Sequence, residues 1–215
     1  MEQIVTGVGV IDKAVRLINA VEEQPGDLNE LSQRTQMPRA TAHRLLISLR
    51  DHGFVRRDDQ GRFVPGLRFV GLGRAAANAL PLPRRAEPEL AKLRDLTGES
   101  AQLYVKEGDR RICVVSLESL HGLRTIVPPG ASLPLNAGSA GHVLTRPPKG
   151  WIQSVGEREA GVASVSAPVC NTAGEVIAAV SISGPINRLG TNPGVTHGPV
   201  VEATAKAIEA LADLV

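Results

Sequence analysis

Cysteine is nearly absent from this 215-residue chain, with Cys113 and Cys170 the only two. Two thiols cannot form the disulfide framework of a small secreted scaffold, so the chain reads as a cytoplasmic protein with reduced cysteines. Arg110 and Arg111 precede Cys113, which raises a thiol sensor, but buried structural thiols are the commoner case and the expected one. Aromatic residues are scarce too: one Trp, one Tyr and three Phe. Any core must be aliphatic, and an apolar fraction of 42% is enough to build one. No apolar run reaches the ~20 residues of a membrane span. The first residues lack the basic start and apolar centre of a signal peptide. The net charge of +2 is small, so positive charge matters by location and not by total. Catalytic signatures are missing: there is no G-x-S-x-G, P-loop or H-E-x-x-H. His43, His52, His121, His142 and His197 are scattered at no zinc-like spacing. The expectation is no enzyme, no catalytic residues, no metal and no resident cofactor.

A further absence is local. Residues 31–50 contain no Asp or Glu, yet hold Arg34, Arg39, Arg44 and Arg50. Around this window the pattern is helical. Ile11, Ala14, Val15, Ile18 and Val21 recur at three- and four-residue spacing and predict a first amphipathic helix, ended by Pro25-Gly26. Asp27-Leu28-Asn29-Glu30 has the form of a capping box, with Leu28 and Leu31 on the buried side of a second helix. Pro38 suits the first turn of a third. There Ala42, Leu45, Leu46 and Leu49 share one side. A rotation of 100° per residue puts Ala40, His43, Arg44 and Ile47 on the other, with Arg39 and Thr41 on the flanks. Gly53 is a C-cap after His52. Phe54–Arg57 and Arg62–Val64 read as two short strands joined by the turn Asp58-Asp59-Gln60-Gly61. Three helices and a hairpin make a winged helix-turn-helix. An apolar stripe backed by neutral and basic residues suits a phosphate-lined groove. Arg39, Ala40, Thr41, His43 and Arg44 are the candidates for base and phosphate contact, and Arg56, Arg57 and Arg62 the candidates on the wing. Asp58 and Asp59 argue against deep insertion of that wing.

Leu67, Val70, Leu72 and the alanines 75, 76, 77 and 79 predict a linker helix, and Pro81-Leu82-Pro83 a boundary. Beyond it the pattern turns to mixed α/β. Leu90, Leu93 and Leu96 mark a helix ending at Gly98. Residues 100–106 and 111–117 read as a hairpin through Glu107-Gly108-Asp109. Residues 164–169 and 175–183 read as another through Asn171-Thr172-Ala173-Gly174, and residues 201–215 as a closing helix. Ser164 and Ser166 alternate with Val165, and Ser181 and Ser183 with Ile182, so each pair points to one face of its strand. Covered by helices, such hydroxyls need partners, which a carboxylate or amide ligand can supply. Ser139 and Gly141 sit at a predicted helix start, whose unpaired N–H groups favour anions.

Residues MPRATAHRLLISLRDHGFV with the wing, PGASLPLNAGSAGHVL, and GVASVSAPV followed by VIAAVSISGPINRL resemble the isocitrate-lyase-regulator (IclR) family of bacterial transcription factors. The likeness runs over nearly the whole chain. TGESAQLY, GLRTIVPPG and GWIQSVGEREAGVASVSAPV resemble the actinobacterial branch that regulates leucine and other amino-acid biosynthesis. The resemblance implies an α+β protein with a winged helix-turn-helix over 1–66, a linker helix and hinge over 67–83, and a GAF-like α/β effector domain over 84–215. It implies a ligand-responsive, sequence-specific DNA-binding regulator, a repressor, acting as a homodimer or homotetramer on a double-stranded operator. Its effector pocket falls on Leu135, Ser139, Ala140, Val162, Ser164, Ser181 and Ser183, with leucine or a related metabolite the first candidate ligand.

Two departures stand out. Gln36 takes the place of the family's usual glycine in the helix-turn-helix turn. After Val143-Leu144-Thr145 the family's helix normally continues, and a connector and a further helix precede the Gly-Trp pair. Here Pro147-Pro148 intervene, so either that helix is absent or residues between Leu144 and Gly150 do not appear in the sequence. The second is expected, because losing a helix from one side of the sheet would expose apolar surface. Two other functions remain open alongside a ligand-responsive regulator. One is an enzyme with an attached helix-turn-helix, for which no nucleophile-base pair is visible. The other is a constitutive DNA-binding or architectural protein whose distal domain only oligomerises.

Overall fold

The computed structural model describes residues 8–79 and 81–212. The chain divides into two compact units, Met1–Ala79 and Leu80–Val215. Among the described residues no helix is long and apolar enough to cross a membrane.

The first unit runs α1 (Gly9–Glu23), α2 (Leu28–Arg34), α3 (Arg39–Asp51), β1 (Val55–Arg57), β2 (Phe63–Pro65) and α4 (Arg68–Asn78). α2 starts where the capping box predicts. The Asp27 carboxylate accepts from the N–H groups of Asn29 and Glu30, and Glu30 reaches back to the Asp27 N–H at 2.8 Å. The core joins Leu17, Ala20 and Val21 of α1, Leu31 of α2, Ala42 and Leu46 of α3, and Val55 and Phe63 of the hairpin. Each large side chain fully buried there contributes roughly 1.5–3 kcal/mol. Leu45 and Leu49 pack at its edge, as the third-helix stripe predicts. The first-helix stripe needs correction. Ile11 and Val15 are 55% and 47% exposed, and the buried side is set by Leu17. β1 and β2 pair antiparallel, Arg56 opposite Val64. On α4 and just before it, Leu67, Phe69, Val70 and Leu72 are exposed. Of the predicted alanine run, the side chain at position 77 lies outside the described residues.

The second unit holds a six-stranded antiparallel sheet in the order β5-β4-β3-β8-β7-β6. Its strands are β3 (Ser100–Glu107), β4 (Arg110–Leu117), β5 (Ser132–Pro134), β6 (Ile152–Val155), β7 (Val162–Cys170) and β8 (Val176–Pro185). Its helices are α5 (Pro81–Thr97), α6 (Ser139–Thr145), α7 (Ile186–Leu189) and α8 (Pro193–Ala212). The main core, with Leu90 and Leu93 of α5 and Val201 and Ile208 of α8, packs on Ala101, Leu103, Val165, Val180 and Ile182 of the sheet. A second cluster joins Val143 and Leu144 of α6 to Tyr104, Cys113 and Ala179. Three boundaries differ from expectation. Pro81-Leu82-Pro83 is the first turn of α5 and not an irregular break, consistent with proline's tolerance at a helix start. Leu96 is 75% exposed. α8 begins at Pro193, eight residues before the apolar run, where Gly194 and Gly198 leave room for the Trp151 ring. β5, β6 and α7 are too short to leave a periodic signal.

α6 ends at Thr145, and residues 146–151 lead directly into β6. Beside this short connection Val143 and Leu144 are buried and Ile152 is half-buried.

Candidate functional site

The first unit carries the candidate nucleic-acid face. Gln36 makes the turn between α2 and α3 with φ 53°, the one non-glycine residue at positive φ among those described. Met37 and Ala42 anchor the start of α3 in the core, so its opposite side faces solvent. Arg39, Ala40, His43 and Arg44 are exposed, and Thr41 and Ile47 half-exposed. Arg39 is braced, its Nε donating to the Asn29 side chain at 2.9 Å. Two basic groups that the acid-free window brings to notice are occupied elsewhere. Arg34 folds back to donate to the Ala20 and Gln24 carbonyls at 3.0 and 2.6 Å, closing the C-terminal end of α1. Arg50 pairs with Asp51. On the wing, Arg57 lies over the Phe63 ring at 4.3 Å and donates to the Gly61 carbonyl. Arg62 pairs with Asp58 at 2.8 Å, which cancels much of its charge. Arg56 is exposed on β1.

The second unit carries a cleft on the α6 side of the sheet. Strand register collects the serines there: Ser164 stands opposite Ser183 and Ser154, and Ser166 opposite Ser181. The Ser139 hydroxyl, from α6, lies 2.7 Å from those of both Ser164 and Ser166, and Ser166 donates to Ser181 at 2.8 Å. Ser183 exchanges hydrogen bonds with the buried Gln102 amide at 3.0 and 3.2 Å. Of the seven predicted pocket residues, Ser139, Ala140, Val162, Ser164, Ser181 and Ser183 line one cleft. Leu135 is buried beside Ala140 in the α6 cluster and not on the lining. The free space is about 30 Å³, room for one or two waters. The hydroxyls thus satisfy one another, and a ligand here must compete with internal bonds.

Tyr104, Arg111, Ser154, Arg158 and Glu159 also line the cleft and were not among the predicted residues. Arg111 is 3% exposed, and its guanidinium donates to the carbonyls of Pro134 and Ala137. A charged residue two before a buried Cys113 on one strand was the available signal. Glu157 closes the rim, accepting from the Gly138 N–H at 2.9 Å, from Ser154 at 2.9 Å and from His142 at 2.7 Å. One amide at the predicted anion-binding helix start is therefore already taken by a protein carboxylate. Both thiols are free. Cys113 is fully buried, and burial pushes its thiol up to about 12. Cys170 is also pushed up, by burial and by Glu209.

Comparison with known proteins agrees with both halves. The IclR helix-turn-helix domain family matches residues 10–59. The bacterial transcriptional regulator IclR C-terminal family matches residues 74–148 and 145–210, two pieces that overlap at the end of α6. The chain is 27% identical over 222 residues to the HTH-type transcriptional regulator BhcR of Paracoccus denitrificans, covering 85% of this chain and 80% of that one. It is 24% identical over 242 residues to the HTH-type transcriptional repressor AllR of Escherichia coli K12, covering 94% and 89%. Its fold matches that of an IclR homolog from Microbacterium hydrocarbonoxydans complexed with 4-hydroxybenzoate. The TM-score there is 0.76, the identity 21%, and coverage 94% and 98%.

Proposed function

Since this chain belongs to the IclR family of bacterial DNA-binding transcriptional regulators, we propose that it is a ligand-responsive repressor. In this reading residues 1–66 contact the operator, 67–83 link, and 84–215 bind a small-molecule effector in the cytoplasm. One observation carries the DNA half: α3 presents an exposed, acid-free face of Arg39, Ala40, His43 and Arg44 beside a wing. The serine cleft supports the effector half. A relative named as a repressor supports the sign of regulation. The 4-hydroxybenzoate complex of a same-fold protein supports a small organic effector. The likeness of TGESAQLY and its companion segments to the amino-acid branch makes leucine or a related metabolite the first effector to test, and amino-acid biosynthesis genes the first targets. Val8, Val10, Ile11 and Val15 of the first helix region and Leu67, Val70 and Leu72 near α4 are exposed apolar residues. Surface of that kind supports a homodimer or homotetramer reading a pseudo-palindrome.

Footprinting across the organism's promoters, with and without leucine and other small metabolites, tests the reading. A protected palindromic site whose occupancy falls with a ligand is expected. Sedimentation at micromolar concentration checks the oligomer, and a monomer that still binds its operator tightly would overturn that part. The self-satisfied serines and the small free space favour one second reading, a constitutive binder whose distal unit only oligomerises. In that case no metabolite changes operator affinity.

A further inference from the structure

Arg39 is the first residue of α3, and a recognition helix meets base edges through its N-terminal residues. A long exposed side chain at such a place samples many rotamers, and binding must order it. Here it is already held. Its Nε donates to the Asn29 side-chain oxygen at 2.9 Å, from the first turn of α2. Both ends of that bond stand on fixed backbone. The Met37 N–H donates to the Ser32 carbonyl at 3.0 Å, and the Ser32 hydroxyl donates to the Met37 carbonyl at 2.6 Å, which ties α2 to the start of α3. Asn29 lies three residues before Ser32, on the same side of α2. The kind of acceptor matters as much as the distance. Arg50 and Arg62 are paired with carboxylates, which offset their charge, and Arg34 is folded onto carbonyls at the end of α1. Asn29 offers a neutral amide oxygen, so it fixes the guanidinium plane and leaves the charge whole. Asp27 and Glu30, the acids beside it on α2, are engaged in the capping box. With only Nε committed, the edge formed by the two Nη atoms stays available for a two-pronged contact with guanine O6 and N7 or with a phosphate.

We propose that Asn29 is a positioning residue for operator recognition: it holds Arg39 in the orientation that meets the duplex, and contributes to affinity and sequence preference without touching DNA itself. The proposal rests on the reading of α3 as the operator-contacting helix and adds the residue of α2 that prepares it. The gain comes from ordering Arg39 before the encounter, so that less freedom is lost on binding.

The test is a double-mutant cycle on the full-length protein. The specific probe is the duplex that the wild type selects from a random-sequence library, and the reference is an unrelated duplex of the same length. Both are titrated by fluorescence anisotropy with wild type, Asn29→Ala, Arg39→Ala and the double variant, and a melting curve for each confirms folding. Asn29→Ala should weaken the selected duplex about threefold to tenfold, the worth of ordering one long side chain. It should leave the salt dependence as in the wild type, because the Arg39 charge remains, whereas Arg39→Ala should lower the salt slope by about 1 if it meets a phosphate. The double variant should bind as Arg39→Ala alone does, since nothing is left to position. Asn29→Asp keeps an acceptor at the same place. It should retain the preference for the selected over the unrelated duplex, while its negative charge weakens both. An equal loss from Asn29→Ala with and without Arg39 would mean that Asn29 meets DNA itself, and the proposal falls. It falls too if Asn29→Asp loses the sequence preference as fully as Asn29→Ala. Asn29→Ala binding like the wild type while Arg39→Ala binds weakly would overturn the brace and leave the α3 reading standing. Arg39→Ala binding like the wild type would overturn the brace and remove Arg39 from the operator face.

Discussion

Ser166 on β7 and Ser181 on β8 face each other across the sheet with hydroxyls 2.8 Å apart, and Ser139 of α6 closes the chain of bonds from above. The network ties the short α6 to strands β7 and β8 by polar contacts beside an apolar cluster that includes Tyr104 and Cys113. In the proposed effector reading, a ligand that displaces these serine bonds acts on α6. Coupling of ligand to DNA requires a differential of this kind, typically about 1–3 kcal/mol.

Filling the cleft should separate response from binding. Ser164 is half-buried on the lining, so the Ser164→Phe ring, larger than the free space of about 30 Å³, blocks the cleft and crowds its walls. Ser183→Leu does the same and also strips the Gln102 amide of its partner, at about 1–3 kcal/mol of stability. Both variants should bind operator DNA as the wild type does and fail to respond to ligand in titrations. Variants that respond normally would move the site elsewhere.

Gln36 holds a left-handed conformation where glycine is at ease. A side chain there costs about 1–2 kcal/mol, part of which is returned because glycine frees the unfolded chain. Gln36→Gly should therefore raise the stability of the first unit by about 0.5–1 kcal/mol in denaturant melts. A loss of stability would mean that the Gln36 side chain makes a compensating contact.

What the sequence could reveal followed from how local each signal is. The Asp27 capping box, the Gly53 stop and the period-two serines are written within a few residues, and each is found where the pattern places it. The α1 stripe misled because Ile11 and Val15 have helical spacing but no neighbour in the unit covers them. Arg34 and Arg44 look alike in sequence. One bends back to two carbonyls at the end of α1, and only the packing of α1 against α2 decides it. Arg111 was hidden for the same reason, since its burial comes from the segment 134–141 folding over β4.

The rim of the cleft should be acid-sensitive. Burial pulls the Glu157 carboxyl upward, but bonds from the Gly138 N–H, His142 and Ser154 outweigh it and leave the group below the usual carboxylate range. A folded-state value below the unfolded one stabilises above the ordinary glutamate value of about 4.3 and is lost as pH falls through the lower folded value. The wild type should lose melting temperature more steeply than Glu157→Gln on acidification from about pH 5 to about pH 3, a range set by that same value. Parallel curves would show that Glu157 is not linked to folding.

DNA contact should run through α3 and not through every arginine of the acid-free window. Arg44 is exposed on the face opposite Ala42 and Leu46. Arg44→Ala should cost about 1–3 kcal/mol of operator affinity if it reads a base, and relax specificity at one position. If it touches only phosphate, all sequences should weaken together and the salt slope should fall by about 1. Arg34→Ala makes the control, because its guanidinium closes α1. It should cost stability, on the order of 1 kcal/mol for a partly exposed group, with little change in operator affinity once folded. Arg62→Ala should have a small effect, since Asp58 already offsets that charge. Gel-shift titrations at two or more salt concentrations, with melting curves for each variant, separate these outcomes. If Arg44→Ala and Arg39→Ala both bind the native operator like wild type, the α3 face is the wrong one. If Arg34→Ala instead abolishes binding while melting normally, the groove is met by α2.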